Sequence, residues 1–137
     1  MEFNPGIIKI LGETKDIAGF INKNAKLFRT ESIRDFLNRK ISEKDLKVSE
    51  VGKRSAQSEY VYKIFNGTRK ASRNVLLALG LGMELTLDEI TELLKIAEFS
   101  ALNPGNKRDA VFIHCFLNNK TVFEAKAILE EIKEDQI

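Results

Sequence analysis

Apolar residues along this chain recur at intervals of three and four and almost nowhere alternate, which predicts helices and no sheet. Between Ser32 and Asp45, Ile33, Phe36, Leu37 and Ile41 stand at i, i+3, i+4 and i+8, one face of a helix. Ser49 is placed to cap a short second helix through Val51 and Arg54. Ser58 is placed to cap a third that runs to Asn66 and stops at Gly67, a residue suited to a left-handed cap. Ser72 opens a fourth helix carrying Val75, Leu76, Leu79 and Met83. Thr86 with Glu89 has the spacing of a capping box ahead of Ile90, Leu93, Leu94 and Ala97. Asn103-Pro104-Gly105 breaks the chain. Beyond it Val111, Phe112, Cys115 and Phe116 mark a further helix, and Thr121 with Glu124 starts a last one with Ile128, Leu129 and Ile132. Residues 6 to 27 predict one or two more helices, a prediction that Gly12 and Gly19 weaken. The expectation is an all-α chain in three parts: a helical arm over 1–31, a five-helix module over 32–102 and a helical pair over 103–137.

Composition narrows the class. With 137 residues, 43% hydrophobic and 31% charged, the chain fits one soluble globular domain with a core. The apolar run Ile7, Ile8, Ile10, Leu11 is interrupted by Lys9 and lacks a cleavage site, so it does not read as a signal peptide. No stretch of ~18 apolar residues is present to cross a bilayer. A single Cys115 and a single His114 exclude an internal disulfide framework and a closed Cys/His zinc site, and a reducing cytoplasm is the simplest home. Adjacent positions on a helix diverge by ~100°, so His114 and Cys115 do not face one substrate. Gly80-Leu81-Gly82 lies inside a predicted helix and follows no strand, which excludes a dinucleotide loop. With no phosphate-cradling loop, no nucleophile elbow and no second His, enzymatic activity and a cofactor are not expected.

Charge changes the picture more than composition does. The chain carries 22 Lys and Arg against 20 Asp and Glu. Residues 47 to 73 nevertheless hold Lys47, Lys53, Arg54, Lys63, Arg69, Lys70 and Arg73 against only Glu50 and Glu59. At ~100° per residue, Val61, Ile64 and Phe65 fall on one side of the third helix, and Glu59, Tyr62, Lys63 and Asn66 on the other. Tyr62 is expected to be exposed, Tyr60 to sit at the edge of the core. A polar helical face inside a basic segment is the arrangement that meets a polyanion.

The stretches YVYKIFNGTRKASRNVLLALGLGM, LTLDEITELLKIAEFSALNP and NKRDAVFIHCF resemble the lambda-repressor-like, xenobiotic-response-element group of helix-turn-helix proteins, in a branch of bacterial regulators, over roughly residues 32 to 134. Members usually have Gly in the interhelix turn, where this chain has Ala56-Gln57, and an acidic residue before Asn-Gly, where it has Phe65. The resemblance implies a five-helix bundle whose third helix enters the major groove of double-stranded DNA. Ser58, Glu59, Tyr62, Lys63 and Asn66 would lie near base edges or phosphates, and Thr68, Arg69, Lys70 and Arg73 beside the backbone. The function it implies is sequence-specific transcriptional regulation, with a protein-interaction adaptor that keeps the fold but not the operator as the alternative. The C-terminal pair is expected to supply a homodimer contact or else to fold back on the arm.

Overall fold

A computed structural model describes residues 5–24 and 31–137, and among them every regular element is a helix. None of these helices is long and apolar enough to cross a membrane. The chain divides into two compact units, Met1–Thr30 and Glu31–Ile137.

In the first unit, α1 (Pro5–Glu13) starts on a proline, whose missing N–H is no loss in a first turn. In α2 (Ile17–Lys23), Asp16 accepts a hydrogen bond from the Gly19 N–H at 3.1 Å and caps the helix. Neither helix has a buried residue, and Ile8, Ile10, Ile17 and Ile21 stand exposed. Residues 1–4 and 25–30 of the expected arm lie outside the described residues.

The second unit runs α3 (Ile33–Lys44), α4 (Val48–Arg54), α5 (Val61–Phe65), α6 (Arg73–Gly82), α7 (Leu87–Ile96), α8 (Lys107–Leu117) and α9 (Val122–Glu131). Five of the seven starts are tied by a side chain accepting from the third backbone N–H: Ser32, Ser72, Thr86, Asn106 and Thr121. The capping boxes at Thr86/Glu89 and Thr121/Glu124 are complete. The other two starts depart from expectation. Lys47, not Ser49, caps α4, without a side-chain hydrogen bond. Ser58 caps nothing, because the Gln57 carbonyl accepts from the Tyr60 and Val61 N–H groups at 3.1 and 2.9 Å, and regular helix begins only at Val61.

Helix α6 is the axis of the unit: every residue from Leu76 to Gly82 is buried, where the sequence suggested one apolar face. Helices α4, α7, α8 and α9 pack around it. A Cβ at Gly80 would come within 2.7 Å of Ile90 Cδ1 and 3.1 Å of Phe116 Cζ, so α7 and α8 close on α6 at a point where no side chain fits. Phe112, Cys115, Phe116, Val122, Ala125 and Leu129 belong to the same core as Phe36 and Leu76, so residues 103–137 extend one packed body. Ile132, expected on the apolar stripe of α9, is instead 42% exposed because the helix ends at Glu131.

Candidate nucleic-acid interface

The geometry of the candidate interface starts with how closely α4 and α5 meet. A Cβ at Gly52 would lie 2.8 Å from Val61 Cγ1 and 3.2 Å from Ser58 Cα, so glycine permits the contact that sets the start of α5 against α4. Between the helices, Ala56 takes a φ of 59°, and the Gln57 N–H donates to the Gly52 carbonyl at 2.8 Å in a Schellman turn. Val61, Ile64 and Phe65 are buried, and Asn38 Nδ2 donates to the Phe65 carbonyl at 2.8 Å, which ties the end of α5 to α3. The opposite face is left out: Tyr62 is 60% exposed, and Glu59, Lys63 and Asn66 are exposed with it.

The loop after α5 is held from within. Asn66 Oδ1 accepts from the Thr68 N–H at 3.0 Å and from the Thr68 hydroxyl at 2.6 Å, while Gly67 turns the chain at a φ of 81°. Asn66 therefore meets a ligand only through its amide NH₂, a donor to phosphate, guanine N7 or O6, but no longer a bidentate partner for adenine. The Arg69 guanidinium stacks 3.6 Å from the centre of the half-buried Tyr60 ring, which orients the cation without neutralising it. Lys70 is exposed beside it.

One residue outside the basic segment completes the surface. Arg34, exposed in the first turn of α3, lays its stem over Gly67, where a Cβ would be 3.3 Å from Arg34 Cδ. A groove of about 500 Å³ runs between Arg34, Tyr62 and Asn66. A second, of about 620 Å³, runs between Arg34, Asn66, Arg69 and Lys70. Arg34 and Asn66 belong to both, so these side chains share one continuous surface. No linear pattern announces Arg34, which stands 27 positions before the start of α5 and reaches it only through the fold.

Arg73 is placed elsewhere. Its guanidinium meets Asp109 at 3.1 Å through both nitrogens and donates to the Ser100 and Ala101 carbonyls, joining α6 to α8. Burial would raise the Asp109 pKa, but the hydrogen bonds from Arg73 and from the Asn103 N–H outweigh it and hold the carboxyl below its ordinary range. The charge of Arg73 is thus spent within the fold. Arg54 lies 3.7 Å from Glu50, an exposed pair of little energetic weight. Ser58 and Glu59 are exposed in the turn ahead of α5. His114 and Cys115 part as expected: the first is exposed beside Asn118, the second is buried, and burial pushes its thiol pKa up. Comparison with protein families, curated proteins and solved structures finds no match to this chain.

Proposed function

We propose that this chain binds double-stranded DNA as a sequence-specific transcriptional regulator, with α4 and α5 acting as a helix-turn-helix within a lambda-repressor-like bundle in the cytoplasm. The observation that carries the reading is the two-sidedness of α5: its apolar side is locked into the core, while Tyr62, Lys63 and Asn66 face outward and Arg34, Arg69 and Lys70 flank them without carboxylate partners among the described residues. Phosphate neutralisation by the flanking cations supplies affinity and register, and the outward residues of α5 select bases. Thr68 contributes by holding the loop through Asn66, and Arg73 by anchoring α6.

Selection from a randomised duplex pool tests this. The proposal expects enrichment of one motif, with loss of preference at one base position in Tyr62→Ala. A pool that never enriches contradicts it. The adaptor reading has one observation in its favour: α5 has only five residues and spans ~7.5 Å, a short element to reach base edges.

A homodimer belongs to the same proposal. Leu117 and Phe123 are 63% and 59% exposed at the α8–α9 end of the unit, an apolar pair that a second copy would cover.

A further inference from the structure

The larger groove has a feature that phosphate binding does not use. Beneath Arg34, Arg69 and Lys70 it is lined by apolar atoms of Ile33, Ile64 and Phe99, supplied by α3, α5 and the segment after α7. A phosphodiester is polar on every side that faces protein and gains nothing from such a floor. The volume, about 620 Å³, lies in the range of small-molecule sites. Among the described residues no carboxylate lines the groove, and none of its three cations is ion-paired. Apolar floor, cationic rim and no anion of its own specify an occupant by complementarity.

We propose that this groove binds an organic anion with an apolar body, such as an aromatic sulfonate, carboxylate or phosphate ester, and that the ligand competes with DNA. The anionic group sits between Arg34 and Lys70, and the apolar body lies on Ile33 and Phe99. Competition follows because Arg34 and Lys70 cannot serve a ligand and a DNA phosphate at once. The competition rests on the DNA-binding reading; the anion site does not.

The probe is 1-anilinonaphthalene-8-sulfonate, an aromatic anion that fluoresces when it leaves water, titrated into the full chain. The proposal expects saturation near one dye per chain. Arg34→Ala with Lys70→Ala should weaken binding at least tenfold, with an unchanged thermal unfolding curve since both side chains are exposed. Ile132→Ser, which removes an exposed apolar residue that lines neither groove, should leave binding within twofold. Equal binding by the double variant, or loss of binding in Ile132→Ser, overturns the site. In the second arm, saturating dye should weaken binding of a random duplex at least tenfold. Duplex binding that persists unchanged with the dye seated overturns the competition alone. A chain that takes up the dye as expected but binds no duplex at any salt overturns the DNA-binding reading, and the competition with it, while the anion site stands.

Discussion

Arg69 and Arg73 stand four positions apart in the sequence and do opposite work. Arg69 lies flat on Tyr60 with its charge free, whereas Arg73 is committed to a largely buried carboxylate and two carbonyls. Arg73→Ala leaves Asp109 without its partner and should destabilise the chain by roughly 2 to 4 kcal/mol in denaturant unfolding. Lys70→Ala should stay within ~0.5 kcal/mol of wild type in the same measurement, and Arg69→Ala, which loses only its stack on Tyr60, within ~1 kcal/mol. Spacing cannot separate the two arginines, because the partner of Arg73 is contributed from 36 residues away. The outward placement of Tyr62 and Lys63 was legible, since helical period alone divides α5 into two faces. The capture of Asn66 Oδ1 by Thr68 was not, because Asn-Gly reads as a helix stop whatever the side-chain amide does. Arg34 was missed for the same kind of reason as Asp109: its neighbourhood is made by the fold.

Helix beginnings were easier to read than helix ends. Ser72, Thr86 and Thr121 are local signals, each needing only the backbone three residues on, and all three cap as expected, whereas Ser49 and Ser58 do not. At the ends, Asp45, Ala56, Glu84, Glu98, Asn119 and Lys133 adopt positive φ where a glycine rule looks for Gly, and among the described residues only Gly67 follows it. A left-handed alanine is costly, so Ala56→Gly should raise stability by ~1 kcal/mol in denaturant unfolding without altering the α4–α5 crossing. Between α3 and α7 the tie is electrostatic. Lys40 Nζ lies 2.7 Å and Lys44 Nζ 3.1 Å from the Glu89 carboxylate, which also closes its own capping box. Burial would raise the Glu89 pKa, yet the bonds from Lys40, the Thr86 N–H and Lys44 pull it down to about 2. A carboxyl depressed in the folded state stabilises fully above its unfolded value near 4.5, and that stability fades as pH falls toward 2. Thermal unfolding across pH 7 to 2 should therefore show a falling midpoint on the acid side. In Glu89→Gln the midpoint should be lower at pH 7 and fall less steeply with acid.

At the scale of the whole molecule, charge and packing are organised differently. The core joins residues from α3 to α9 in one body, whereas Arg34, Lys63, Arg69 and Lys70 stand exposed on and beside α5 and at the start of α3. That the chain is all-helical could be read from its periodicity, but the all-round burial of α6 could not, since one helix shows its surroundings only when four others are set on it. If a second copy covers Leu117 and Phe123, sedimentation at micromolar concentration should show twice the chain mass, reverting to one in Phe123→Ser. A single-chain mass throughout would leave the α8–α9 end as plain monomer surface.

The central claim, that the cations around α5 neutralise DNA phosphates, is tested most directly by the salt dependence of duplex binding in wild type and in Arg69→Ala with Lys70→Ala. The account predicts a steep linear fall of log affinity with log salt for wild type, and a slope shallower by about two in the double variant. Equal slopes in the two proteins, or no binding of the wild type at low salt, would contradict it.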